Sequence, residues 1–84
     1  MKIKLRLFGQ LRELAKLQET EIELKSKCTI DDLKWIAGEH FPALREHLKV
    51  VSFAVNSEYV SKEAVLSEGD EVALLPPISG GSSW

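Results

Sequence analysis

The sequence predicts an α+β domain, a mixed sheet of about five strands with one main helix across one face. Three patterns predict it. Apolar and charged residues alternate from Lys2 to Phe8, and apolar residues recur every three or four positions from Ile30 to Phe41. Short apolar or β-branched runs bounded by turn residues then follow between Val50 and Leu75.

In the first run Ile3, Leu5 and Leu7 fall on one side and Lys2, Lys4, Arg6 and Phe8 on the other, the period of a half-buried strand. Gly9 breaks that period. Leu11, Leu14 and Ala15 then take helical spacing, which predicts a short helix over 10–16. Alternation resumes from Thr20 to Lys25, with Ile22 and Leu24 facing in and Glu21, Glu23 and Lys25 facing out, as suits a charged edge strand paired with the first. Thr29 stands before the long periodic run with Asp32 three residues on, a spacing at which hydroxyl and carboxylate can satisfy the free N–H groups of a first helical turn. Ile30, Leu33, Ile36, Ala37 and Phe41 make one apolar stripe, and Pro42 ends the helix because the residue before a proline is driven out of the α region.

Ala43 to Leu48 has room for a short helical turn. Val50 to Val55 reads as a third strand, with Val51, Phe53 and Val55 on one side. Asn56-Ser57-Glu58 then turns the chain into a short strand at Tyr59-Val60, and Ser67-Glu68-Gly69-Asp70 turns it into a last strand, Glu71 to Leu75. Pro76 and Pro77 cannot donate to a ladder, so the sheet ends there. The domain is expected to span 1–78, with 79–84 a flexible tail carrying Gly80-Gly81. A β-grasp satisfies this order of elements, with the first and last strands side by side at the sheet centre, although pattern alone admits other α+β topologies.

A chain of 84 residues holds one core. It buries only roughly 60 to 65 per cent of its unfolded surface, which favours a carrier or adaptor over a complete enzyme with an enclosed cavity. The net charge of -2 is spread along the chain, so no basic stripe awaits phosphates and nucleic acid is not an expected partner. Cys28 is the only cysteine, which excludes an internal disulfide or a Cys-based zinc cluster and fits a reducing, cytoplasmic location. The N-terminal run mixes charges with apolar residues, unlike a signal peptide or membrane helix, so no membrane association is expected.

Isolated polar groups suggest little chemistry. Cys28 precedes the main helix, where a dipole could lower a thiol pKa, but an ordinary semi-buried cysteine is the preferred reading. His40 and His47 lack a ligand pattern and read as surface residues near the helix end, so no metal site is expected. Trp35 falls off the apolar stripe and reads as a partly exposed flank. Asp31, Asp32, Glu68 and Asp70 suit caps and turns better than acid–base catalysis.

Three segments carry a resemblance to a known family. They are Leu7-Phe8-Gly9-Gln10-Leu11-Arg12-Glu13-Leu14, Ala54-Val55-Asn56, and the run from Glu68-Gly69-Asp70 through Leu75-Pro76-Pro77-Ile78-Ser79-Gly80-Gly81. Over Met1 to Gly81 the chain resembles the molybdopterin synthase small-subunit family of ubiquitin-like sulfur carriers. The resemblance implies a β-grasp fold and a non-catalytic role. It implies that a ubiquitin-activating-like adenylyltransferase uses ATP to adenylate Gly81, beside Gly80, and that a thiocarboxylate then forms there. No cofactor would be bound permanently. The carrier would dock on a large synthase subunit that holds the catalytic groups, in a heterotetramer, and pass its sulfur to cyclic pyranopterin monophosphate in molybdenum cofactor biosynthesis. Phe8 and Leu75, projecting from the sheet face opposite the helix as an exposed apolar patch, would dock with Pro76, Pro77 and Ile78. A carrier or protein modifier of another pathway, or a β-grasp interaction module without sulfur chemistry, are the alternatives.

Glycine suits such a chain end because a backbone threading a narrow channel has no room for a Cβ. A carboxylate is a poor electrophile until a leaving group is supplied, so the carrier needs a partner and ATP rather than a dyad of its own. One feature departs from the family pattern. Ser82-Ser83-Trp84 follow Gly81, so its carbonyl is held in a peptide bond. Either these residues are foreign to the natural chain, or a protease removes them, or the chain has lost the carrier role.

Overall fold

In the computed structural model, which describes residues 1–76, the alternating N-terminal run forms strand β1, Lys2–Leu7, with Ile3, Leu5 and Leu7 buried. The elements that follow are α1 (Gly9–Ala15), β2 (Glu19–Glu23), α2 (Ile30–His40), a 3-10 turn (Pro42–Leu44), α3 (Arg45–Leu48), β3 (Ser52–Val55), β4 (Glu58–Tyr59) and β5 (Glu71–Leu75). The five strands form one sheet in the order β2-β1-β5-β3-β4. β1 and β5 pair in parallel at its centre, and the remaining pairs are antiparallel. This is the mixed sheet of a β-grasp, with α2 as its main helix.

The predicted start of α2 is present in full. Thr29 Oγ1 accepts from the Asp32 N–H at 3.2 Å, and Asp32 Oδ2 accepts from the Thr29 N–H at 3.0 Å. Phe41, at φ −131° and ψ 78°, has already left the α region, as Pro42 requires. Ile30, Leu33 and Ala37 of α2 join Ile3, Leu5, Leu7, Ile22, Phe53, Val72 and Leu74 of the sheet in one apolar cluster. Leu11, Leu44 and Leu48 extend it. No polar or charged residue is buried among the described residues, so the cluster itself carries no side-chain charge to be matched.

Several details differ from the sequence reading. Phe8 leaves β1 and stands before α1 as its N-cap. β4 begins at Glu58 rather than Tyr59 because Asn56 and Ser57, at φ 50° and 74°, close a two-residue hairpin that sets Val55 opposite Glu58. Trp35 is 73% exposed, well beyond a flank, whereas Cys28 is buried in the cluster. His40 is exposed with its Nδ1 3.1 Å from the Ile36 carbonyl oxygen. His47 is half-buried, and its Nδ1 is enclosed without a hydrogen-bond partner.

The two turns that flank β5 are tied to each other. Asn56 Oδ1 accepts from the Glu71 N–H at 3.0 Å, Asn56 Nδ2 donates to Asp70 Oδ1 at 3.0 Å, and the Asn56 N–H donates to the Glu71 carbonyl at 2.8 Å. Asp70 Oδ2 accepts from the Ser67 N–H at 2.8 Å, and the Gly69 N–H donates to the Lys2 carbonyl. The first residues of β5 are therefore held to β3 on one side and to β1 on the other. Asn56→Gly keeps the positive φ but loses both side-chain bonds, and is expected to lower stability by about 1–2 kcal/mol. Asn56→Ala is expected to lose about 1 kcal/mol more through its Cβ in the left-handed region. Urea midpoints of the two variants measure the difference, and equal losses would show that the backbone conformation at this turn contributes nothing.

Candidate functional site

The end of β5 is where the fold hands the chain to its last residues. Leu74 lies opposite both Leu7 of β1 and Phe53 of β3, so the strand leaves the sheet from its middle. Val72 and Leu74 point to α2 and are fully buried, while Glu71, Ala73 and Leu75 face the helix-free side and are half-buried. Pro76 follows, and its ring lies against Gly9. A Cβ placed on Gly9 would stand 3.2 Å from Pro76 Cγ, and Gly9 itself sits at φ +56°. Two constraints thus meet at Gly9: a backbone conformation that L residues rarely adopt, and the close approach of the residue that leads out of the sheet.

Phe8 and Leu75 each follow the Leu7–Leu74 pair and share the helix-free side. The Arg6 guanidinium carbon lies 5.4 Å from the centre of the Phe8 ring. The same guanidinium contacts Glu71 Oε2 at 3.2 Å and Glu19 Oε1 at 3.8 Å, bridging β1 to both its neighbours. With Arg6 43% exposed, each ion pair contributes at most about 1 kcal/mol, and their effect is mainly to hold the cation over the ring.

Of the residues predicted to dock a partner, the structure brings Phe8, Leu75 and Pro76 to one end of the central β1–β5 pair. The expected exposed apolar patch is corrected in one respect: Phe8 and Leu75 are half-buried, with Arg6 beside the Phe8 ring. The large apolar side chains that stand exposed among the described residues are Trp35, Val50, Tyr59 and Val65. Pro77, Ile78, Gly80 and Gly81 lie outside the described residues, as does the expected domain boundary at 78. Gly9 and Arg6 were not singled out as site residues by sequence reasoning. Gly9 had a signal, a glycine between a strand and a helix, but its contact with a proline 67 positions on had none.

The ThiS family matches residues 5–81, from β1 through the glycine pair. The chain belongs to the ThiS family. Among relatives, the molybdopterin synthase sulfur carrier subunit of Chlamydomonas reinhardtii is 45% identical, over 96% of this chain and the whole of that protein. A candidate molybdopterin converting factor subunit 1 from Pyrococcus furiosus has a similar structure, with TM-score 0.85 and 32% identity over 93% of this chain and 99% of that one. A chain of the complex of subunits 1 and 2 of molybdopterin-converting factor from Helicobacter pylori superposes with TM-score 0.70 and 28% identity, over 96% of this chain and all of that one.

For this ThiS-family chain the contact between Gly9 and Pro76 is open to a direct test. Gly9→Ala is expected to lower stability by about 1–2 kcal/mol from the backbone alone. Adding Pro76→Ala removes the facing ring and should restore the steric part of the loss while leaving the backbone part. A double variant no more stable than Gly9→Ala, in thermal unfolding, would mean that the ring is not pressed against that site.

Proposed function

We propose that this chain is the sulfur carrier subunit of molybdopterin synthase, working in the cytoplasm as a non-catalytic partner of a large subunit. The observation that supports this reading best is the ThiS match over residues 5–81, joined to a fold that delivers Pro76 from the sheet centre. The likeness to one chain of the two-subunit Helicobacter pylori complex supports a large-subunit partner.

The chemistry follows from what a glycine carboxylate can do. A ubiquitin-activating-like adenylyltransferase binds the chain end with ATP, and a Gly81 carboxylate oxygen attacks the α-phosphorus with loss of pyrophosphate. AMP is then a leaving group at the carbonyl carbon, and a sulfur nucleophile displaces it to leave the thiocarboxylate. Gly80 and Gly81 carry no Cβ, so the backbone can enter a channel too narrow for other residues. In the large subunit, within a heterotetramer, the sulfur passes to cyclic pyranopterin monophosphate, and two such deliveries complete the dithiolene of the molybdenum cofactor. Phe8, Leu75, Pro76, Pro77 and Ile78 dock the carrier so that this chain end reaches the acceptor.

Arg6 tunes this surface. When a partner covers Phe8 and Leu75, the guanidinium can remain paired with Glu71 and Glu19 at the rim of the contact. The reading is tested on a chain ending at Gly81, incubated with the activating enzyme, ATP and a sulfur donor. Intact mass should rise by about 16 Da, the exchange of oxygen for sulfur. Gly80→Val at the same length should slow the exchange by about a hundredfold, because a misplaced carbonyl forfeits the oriented attack. A chain ending at Gly81 whose mass never changes would overturn the proposal.

A further inference from the structure

β2 closes one side of the sheet, and among the described residues no strand pairs with its outer edge. The way β2 pairs with β1 decides what that edge presents. Leu24 exchanges two bonds with Met1: its N–H donates to the Met1 carbonyl and its carbonyl accepts from the Met1 amino group, both at 2.6 Å. At the other end the Leu7 N–H donates to the Gln18 carbonyl at 2.9 Å. Antiparallel bonding alternates along a strand, so Gln18, Thr20, Ile22 and Leu24 turn their backbone groups to β1, and Glu19, Glu21 and Glu23 turn theirs outward. Each of these three glutamates thus offers one N–H and one C=O to a further strand. The Thr20 hydroxyl, 3.5 Å from the Glu21 carbonyl, is a weak partner for one of them.

The side chains on the two faces of β2 define what would fit. On the helix-free side Glu19, Glu21 and Glu23 stand in line. Glu19 meets Lys4 and Arg6, each at 3.8 Å, and Glu23 meets the terminal amino group at 3.3 Å. Glu21, exposed between them, makes no ion pair among the described residues. On the helix side Ile22 is buried, and beyond it a groove runs between the end of β2 and α2. Leu24, Trp35 and Ile36 line that groove, and the Trp35 ring stands exposed on its wall.

We infer that the outer edge of β2 takes an extended segment of a partner protein in which lysine or arginine alternates with apolar residues. An added strand shares the faces of its neighbour. Residues opposite Glu19, Glu21 and Glu23 therefore meet carboxylates, and residues opposite Thr20 and Ile22 lie toward α2 and the groove beside Trp35. The chain already contains one segment that satisfies both demands. β1, Lys2-Ile3-Lys4-Leu5-Arg6-Leu7, pairs with the inner edge of β2 in the register Lys2 to Glu23, Lys4 to Glu21 and Arg6 to Glu19. The partner segment repeats that solution on the outer edge. A second copy of this chain suits the edge poorly, because two β2 strands would set glutamate against glutamate, and β4, the other open edge, is two residues long and begins with Glu58. The inference does not rest on the sulfur chemistry proposed above. β1 separates β2 from β5, so an occupied edge leaves the exit of the chain clear.

Acidic side chains on an edge also repel stray strands, so the test has to separate pairing from guarding. The probe is a blocked peptide alternating lysine with valine, compared with a peptide of the same composition whose lysines and valines are grouped in two blocks. Titrated into the isotope-labelled full chain, the alternating peptide should bind saturably and shift the amide signals of Glu19, Glu21 and Glu23 and the indole signal of Trp35. The grouped peptide should bind at least about tenfold more weakly, since it cannot serve both faces while pairing. Glu21→Gln removes the charge alone and should weaken binding of the alternating peptide by about twofold to fivefold. Glu21→Pro also deletes an N–H that points away from β1, and should weaken binding by at least about tenfold while the β1–β2 ladder stays intact. Thermal unfolding checks that both variants fold, and if Glu21→Pro does not, the two lysine peptides decide the matter alone. Unshifted edge amides, equal binding of the two peptides, or equal losses from the two variants would each overturn the inference. So would a chain that shifts these amides by pairing with itself as its concentration is raised, which would give the edge to a second copy.

Discussion

The register of β5 between β1 and β3 is the constraint on which the rest of the molecule depends. Side chains alternate along a strand, so a slip by one residue would send Val72 and Leu74 to the helix-free side and bring Glu71, Ala73 and Leu75 under α2. Burial of Leu75 would replace that of Leu74 almost evenly, at about 1.5–3 kcal/mol each. Burial of the Glu71 carboxylate has no such compensation and costs several kcal/mol, a large part of the stability of a small domain. The charge on Glu71 thus enforces the register against slippage, and the Asn56–Asp70 contacts enforce it locally.

The same register decides where the chain leaves the fold. Because Leu74 is fixed opposite Leu7, Pro76 falls beside the turn from β1 to α1, where Gly9 has space for its ring. A turn residue near the beginning of the chain and a proline near its end are therefore one structural unit. Arg6 extends this unit by spanning β2, β1 and β5 through Glu19 and Glu71 while lying beside Phe8. Chain exit and register share the same few residues, and the proposed docking surface would share them too, so a change in one would be felt in the others.

How much of this could be read from sequence depends on the range of the interaction. β5 was placed at its observed limits because Gly69-Asp70 and Pro76 bound it locally, and the Thr29–Asp32 box was legible because both partners lie within one helical turn. Phe8 continued the alternation of β1, and a period of two cannot tell the last strand residue from a helix cap. The onset of β4 was missed by one residue, since the left-handed conformations of Asn56 and Ser57 set it and composition does not display them. Trp35 was seen to lie off the stripe, but a stripe gives only a direction and says nothing of how far the helix stands above its surroundings. The Arg6–Glu71 contact joins residues 65 positions apart and exists only after β1 and β5 have paired, so no local pattern announces it.

A core in which, among the described residues, no polar or charged residue is buried suits the division of labour that the proposed function implies. A catalytic site needs ionisable groups held in unfavourable surroundings, and those groups subtract from stability. A domain of this size has little stability to give up. Placing the reactive carbonyl beyond the last strand removes that conflict: activation, sulfur loading and transfer would all occur in cavities built by larger partners. What the small domain must then supply is a fixed point of departure, and the central position of β5, paired on both edges and closed by Pro76 against Gly9, is the firmest one its sheet offers.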